Sequence, residues 1–217
     1  FHESLRYKIY SNSIPLIFIN IGGITNVTCF HSIDKKKETM FAKDIGPGNC
    51  LIDEWIRKNS KEKYDKDGSI AKSGKSDKLV LNQIIENLSG KFNYKKSLDI
   101  KDFDVSFAKG LSLENGAATI TELTAKLIAD GISYVNKMNE QSINNWLVCG
   151  GGRKNKFLIE NIKNNFEYSN IDSVEKYNID GDFIESQAFA YLAIRSLEGM
   201  AISFPTTTRC EQPLTGG

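Results

Sequence analysis

The sequence is short of histidine. Among 217 residues only His2 and His31 occur, which leaves a Ser-His-Asp triad or a multi-histidine metal site poorly supplied, so any catalysis must rest on carboxylates. Paired cysteines are missing as well: Cys29, Cys50, Cys149 and Cys210 are widely separated, with no C-x-x-C pair to suggest a zinc ligand set or a disulfide framework. A reducing cytoplasm is the setting that usage predicts. Charge of one sign is lacking too, since 28 basic residues stand against 27 acidic ones and the formal charge is +1. No long-range field then draws the chain to nucleic acid or anionic lipid, and the Lys-dense stretch from Arg57 to Lys101 reads as solvated surface. The longest apolar run, Ile14 to Ile21, has eight residues interrupted by Pro15 and Asn20, far below the ~20 that span a bilayer. The start, Phe1-His2-Glu3-Ser4, has neither an initiator Met nor the basic-then-apolar pattern of a signal peptide, and it predicts truncation ahead of the first residue.

What is present is the patterning of one α/β domain, with 40% hydrophobic residues to bury. Leu16 to Ile21, Asn26 to His31 and Thr39 to Lys43 read as three consecutive antiparallel strands. Gly46-Pro47-Gly48 then breaks the chain, and Leu51, Ile52, Trp55 and Ile56 recur at helical spacing, so a helix should begin near Asn49. From about 60 to 116 the chain turns polar, with one amphipathic stretch at Lys78 to Leu88, and reads as a partly helical insertion. Ala117 to Val135 is a helix with Ile120, Leu123, Leu127 and Ile128 on one face. Asn145 to Cys149 is a short buried strand, Phe157 to Ile162 a helix, Ile171 to Val174 a weak strand, and Ile184 to Leu197 a last helix with Ala188, Tyr191 and Leu192 inward. That order predicts a ribonuclease-H-like layout, a mixed five-stranded sheet flanked by helices, with ligands at the strand ends.

Four motifs fall at those strand ends. Asn20-Ile21-Gly22-Gly23-Ile24-Thr25-Asn26 joins the first two strands, and its glycines let backbone N–H groups approach an anion, although an ordinary glycine hairpin would look the same. Asp44-Ile45-Gly46-Pro47-Gly48-Asn49 sets a carboxylate at a strand end before a helix; it can serve as general base, or merely cap a turn. Cys149-Gly150-Gly151-Gly152-Arg153-Lys154-Asn155 repeats the strand, glycine turn and helix arrangement. Asp182 and Glu185 open the last helix, where acids are also favourable for purely electrostatic reasons. Asp65-Lys66-Asp67-Gly68 resembles the start of a calcium loop but lacks the later ligands, and calcium is rejected.

Taken in order, these segments resemble the anhydro-N-acetylmuramic acid kinase family of the sugar kinase, heat-shock protein 70 and actin superfamily. The family pattern N-I-G-G-x-x-N is met at Asn20 to Asn26, and D-x-G-P-G-N with its following D-x-W at Asp44 to Trp55. The likeness continues through Tyr64 to Gly68, Ala118 to Ala125, Cys149 to Asn155 and Asp182 to Arg195, spanning nearly the whole chain. It implies an actin-like ATPase lobe, the C-terminal one of two, that uses ATP with magnesium carried mainly on the phosphates and not on protein ligands. By the resemblance Gly22 and Gly23 form a phosphate turn, Gly150, Gly151, Gly152 and Asn155 face the nucleotide base, and Asn20, Asn26, Gly46, Gly48 and Asn49 complete the nucleotide-binding set. Asp44 takes the role of base and Glu185 that of an acid near the sugar. The implied reaction converts 1,6-anhydro-N-acetylmuramic acid, ATP and water to N-acetylmuramic acid 6-phosphate in cell-wall recycling.

The likeness fails in places. The family's first-lobe turn M-S-G-T-S-x-D-G has no counterpart, so the N-terminal lobe is absent and a separate chain is its expected source; a homodimer is also compatible with the resemblance. The family's P-K-S-T-G-R-E is matched only by Lys96 and Ser97, with Leu98, Asp99, Ile100 and Lys101 departing from it. Where the family has P-x-V-T-G-A, this chain has Pro205-Thr206-Thr207-Thr208-Arg209-Cys210. The alternative expectation is an inactive remnant, or a module that holds nucleotide or sugar and catalyses nothing.

Overall fold

The computed structural model describes residues 16–34, 37–88, 98–138, 143–167 and 170–216; Lys96 and Ser97, and the chain start, lie outside them. Three strands open it, β1 (Leu16–Ile21), β2 (Ile24–Asp34) and β3 (Lys37–Pro47), followed by helices α1 (Cys50–Asn59), α2 (Ser69–Ser73), α3 (Lys78–Leu88) and the long α4 (Leu113–Met138). Then come β4 (Asn145–Cys149), α5 (Lys156–Lys163), β5 (Asn170–Ser173), α6 (Ile184–Leu197) and the single turn α7 (Pro205–Thr208). The sheet order is β3-β2-β1-β4-β5, antiparallel from β1 to β3 and parallel from β1 through β4 to β5. This is the ribonuclease-H-like arrangement the element order predicts.

A central strand covered on both faces needs apolar residues on both sides of its pleat, which is why β1 reads as a nearly unbroken apolar run. Ile17, Ile19 and Ile21 join Val27 and Cys29 in packing on Ile52 and Ile56 of α1 and Ile120, Ile128 and Ile132 of α4. Leu16 and Phe18 face the other way, with Phe30, Leu147, Val174, Ile179 and Ile184. Each such buried side chain contributes roughly 1.5–3 kcal/mol over an exposed one, so the strand ends stand on a rigid frame.

Two of the boundaries that differ from expectation have a clear cause in the packing. Strand β3 runs through Gly46 and Pro47, because Thr25 pairs with Gly46, Ile24 with Pro47, and the Thr25 hydroxyl donates to the Pro47 carbonyl at 2.9 Å. Helix α4 begins at Leu113, before Ala117: the Trp55 indole N–H donates to the Leu113 carbonyl at 2.9 Å, and Gly116 lies flat on that ring, where a Cβ would come 2.1 Å from Cζ2. The segment from 60 to 116 is docked as well as polar. Asp65 is buried and caps α2 by accepting from the Ile70 and Ala71 amides at 2.8 and 2.9 Å, and Leu81 of α3 packs on Leu123 and Leu127.

Helix α6 turns Ala188, Tyr191, Leu192 and Arg195 inward, as expected, but they are only half-buried. They leave a cavity of about 240 Å³ against Thr28, Met40 and Ala42 of the sheet. Its outer face carries exposed Phe189, Ile194 and Leu197, the last 87% accessible.

Candidate active site

Register brings the polar residues of three motifs into one row. Asn20 of β1 pairs with Asn26 of β2, and Asn26 pairs with Asp44 of β3. Laterally paired residues share a face of the sheet, so three polar side chains cross it in line at the end bearing the glycine turn. Cys149 of β4 is the fourth member, beside Asn20. A shift in register leaves Ile45 as an extra, bulged residue between Asp44 and Gly46, and such bulges commonly re-aim a neighbouring side chain. Asp44 therefore sits three residues inside the end of β3, not at its terminus. One carboxylate oxygen accepts the Leu98 amide at 3.0 Å, and Asp44 lines a polar cavity of about 350 Å³ with Asn26, Lys43, Thr207, Thr208 and Arg209. Burial, and then the charge of Arg209, hold Lys43 below the usual lysine range, while Asp44 acts the other way.

The glycines divide by role. The amides of Gly48, Asn49 and Cys50 donate to the carbonyls of Gly23, Gly22 and Gly23 at 2.9, 2.7 and 3.2 Å. The start of α1 is thus fastened to the Gly22–Gly23 turn, and those three amides are occupied by backbone carbonyls. Gly48 is required by that contact, since a Cβ there would lie 2.2 Å from the Gly22 carbonyl oxygen. Gly46 is buried against the α4 backbone. Gly150, at φ 78°, and Gly152 are pressed onto Asn20 and Ile21 of β1, where their Cβ atoms would fall 2.3 and 2.2 Å from the nearest atoms. Gly151 alone of the three is exposed, its nearest neighbour being Asn49 Nδ2 at 3.6 Å from where a Cβ would sit. Asn155 is buried and caps α5, its Oδ1 accepting the Leu158 amide at 2.9 Å.

Gly151, Asn155 and Asn49 meet in a second cavity, of about 430 Å³, which also takes in Asp53, Arg57, Tyr64 and Lys154. Burial pushes Asp53 up to about 6, with Arg57 opposing and Asp65 adding to the rise. Nothing local in the sequence singles out Asp53, although it is the acid of the D-x-W that follows the second motif. Arg153, whose side chain is 6% exposed, bonds Glu175 at 2.5 Å, Asp182 at 2.8 Å and the Gly150 carbonyl at 2.9 Å. Lys154 reaches Asp182 at 2.6 Å. These pairs tie the Gly150 turn to the start of α6 and hold Asp182 below the usual carboxylate range, chiefly through Lys154 and then Arg153. Glu185 is exposed in the first turn of α6 and lines none of the three cavities described above. Segment 98–101, which departs from the family pattern, lies directly on the site, for besides the Leu98 amide on Asp44, the Ile100 side chain sits over Gly23, 3.1 Å from where a Cβ would be. Burial also pushes Cys29 and Cys149 up to about 12, which removes thiolate chemistry at neutral pH.

A mixed five-stranded sheet flanked by helices, in this strand order, belongs to the ribonuclease-H-like class of α/β domains. The chain belongs to the anhydro-N-acetylmuramic acid kinase family, whose model matches residues 1–217. It is 45% identical over 221 residues to the anhydro-N-acetylmuramic acid kinase of Pelagibacter ubique (strain HTCC1062), covering 100% of this chain and 58% of that relative. With the Rhodospirillum rubrum kinase of the same name it shares 38% identity over 203 residues, covering 94% of this chain and 52% of the relative. The chain thus spans little more than half the length of these relatives. A solved structure, the activator of the 2-hydroxyisocaproyl-CoA dehydratase from Clostridium difficile with bound ADPNP, is similar at 15% identity and a TM-score of 0.42, covering 74% of this chain and 54% of that one. A likeness so loose carries no weight for function. Among the described residues, no helix is long and apolar enough to cross a membrane.

Proposed function

We propose that this chain supplies one wall of a kinase acting on 1,6-anhydro-N-acetylmuramic acid with ATP and water, working in the cytoplasm with the rest of the relatives' length as the facing wall. The observation that carries this reading is the row Asn20, Asn26 and Asp44 set in register beside the Gly22–Gly23 turn. Asp44, steadied by the Leu98 amide, takes a proton from the water that attacks C1. The C1–O6 bond breaks, and O6 receives the γ-phosphoryl group as ADP leaves. Gly151 and the cavity behind it take the nucleoside side. By the resemblance, magnesium is carried on the nucleotide's phosphates. When bound there it neutralises charge in phosphoryl transfer. Glu185 serves the sugar only if the facing wall brings the sugar to α6, and the pairing of two copies rests on the resemblance alone.

A second reading, a module that binds nucleotide or sugar without turnover, is favoured by Ile100, which lays an apolar group on the Gly22–Gly23 turn. The two are separated by fusing the missing part of a family relative to this chain and measuring ADP release with the anhydro sugar. Activity is expected, and Asp44→Asn should lower kcat by ~10²–10⁴-fold, the usual contribution of a general base, with little change in nucleotide binding. A fused enzyme in which Asp44→Asn keeps near-full rate has a different base; one that never turns over is the binding module.

A further inference from the structure

The cavity behind Gly151 contains a half-buried carboxylate, that of Asp53. Asn49, Asp53 and Arg57 stand four residues apart on α1 and so share one face of the helix. Across from them, both oxygens of Asp65 are occupied by the Ile70 and Ala71 amides, and Asn155 Oδ1 by the Leu158 amide. Asp53 is half-buried, yet among the described residues no donor reaches its carboxylate. Removing an ionised carboxylate from water without donors is unfavourable, and it can act only as an acceptor. A ligand that brings donors would settle it.

Geometry narrows the ligand. The Asn49 amide is bonded to Gly22 at 2.7 Å, so the head of α1 touches the turn proposed for the phosphates. Asp53 lies one helical turn further on, roughly 5.4 Å along the axis, and exposed Gly151 lies next to Asn49 on the open side. A nucleotide with its phosphates at Gly22–Gly23 and its nucleoside over Gly151 passes Asp53 at the level of the sugar. Arg57, Lys63 and Lys154 around the cavity are balanced by Asp53, Asp65 and Asp67, so position and not net charge selects the guest.

We infer that Asp53 accepts the two cis hydroxyls of the nucleotide's ribose and makes this lobe select ribonucleotides over deoxyribonucleotides. This rests on the nucleotide reading above and adds to it a residue and a selectivity. With its pKa near 6, the group is ionised at pH 8, where it accepts best.

The test is calorimetric titration of the chain at pH 8 with ATP, 2′-deoxy-ATP and 3′-deoxy-ATP. Loss of one hydrogen bond to a charged group is worth ~10-fold in affinity or somewhat more, so each deoxy nucleotide should bind ~10-fold more weakly than ATP. In Asp53→Asn and Asp53→Ala, both checked for folding by thermal melts, the ratio should fall towards 1. Equal binding of all three nucleotides by the unaltered chain overturns the assignment and leaves the nucleotide reading intact, as does a ~10-fold preference that survives in either variant. A uniform loss of affinity with the ratio preserved marks Asp53 as a folding residue and also overturns it. Failure of every nucleotide to bind at millimolar concentration overturns the nucleotide reading and this inference together.

Discussion

At the scale of single residues, Asp53 shows how a site can cost stability. Its folded pKa of about 6 lies above the ordinary 3.8, so the folded state binds the proton more tightly than the unfolded chain does. Its contribution is fully favourable below about pH 4 and is lost as pH rises through 6, leaving a net cost at pH 8. Taken whole, a shift of that size corresponds to ~3 kcal/mol; for a group only half withdrawn from solvent, about 1 kcal/mol is the sounder figure. The charges facing it are Arg57 on its own helix, Lys63, Asp65 and Asp67 from the loop beyond, and Lys154 from the β4–α5 junction. Asp53→Asn should therefore raise the melting temperature at pH 8 by about 3 °C, and the gain should vanish near pH 4. Melts of the two proteins in parallel from pH 4 to 8 measure the difference directly; a gain that does not change with pH would mean the carboxylate titrates normally.

At the scale of elements, the turn after β4 separates packing glycines from an exposed one. A methyl on Gly152 would meet Ile21, a fully buried β-branched side chain, at 2.2 Å, so Gly152→Ala should cost about 1–3 kcal/mol through overpacking. Gly151→Ala meets nothing closer than 3.6 Å and should melt within about 0.5 kcal/mol of the parent. Denaturant titrations of both variants decide it, and equal losses would deny the division. Much of this level was legible from the chain alone. The β1 run, the strand at Asn145 to Cys149 and the helices over Lys78 to Leu88 and Ile184 to Leu197 carry their own periodicity, and motif order sets Asn20, Asn26 and Asp44 on neighbouring strands. Other features had no local signal. Gly46 and Pro47 look like breakers, and only pairing with Ile24 and Thr25 keeps them in β3. The fastening of Asn49 and Cys50 to Gly22 and Gly23 depends on a hairpin more than twenty residues upstream. Ile100 reaches Gly23 across an insertion whose polar composition gives no hint of the contact, and Asp53 differs from any helix-surface acid only in what the fold lays over it.

At the scale of the whole molecule, this chain provides, on the reading proposed above, one wall of the site and leaves the facing wall to the rest of the relatives' length. Phosphoryl transfer to a sugar oxygen depends on holding donor, acceptor and water in one geometry and excluding bulk solvent, and positioning of that kind accounts for ~7–11 kcal/mol of a barrier. On the reading proposed above, phosphates held by this wall alone would remain hydrated, and Asp44 would orient a water that has nothing fixed to attack. The chain alone, given ATP, magnesium and 1,6-anhydro-N-acetylmuramic acid, should thus release ADP no faster than a control lacking the sugar. Adding the complementary part of a family relative should restore sugar-dependent release. Mixing the separate polypeptides tests whether the surfaces recognise each other, and fusion tests whether proximity suffices when they do not. In both formats Asp44→Asn must remove the restored rate while Glu185→Gln lowers it less, because Asp44 lies in the polar row and Glu185 lies outside both cavities. Sugar-dependent turnover by the unassisted chain would show that one lobe closes the site by itself, and the two-wall reading would fall.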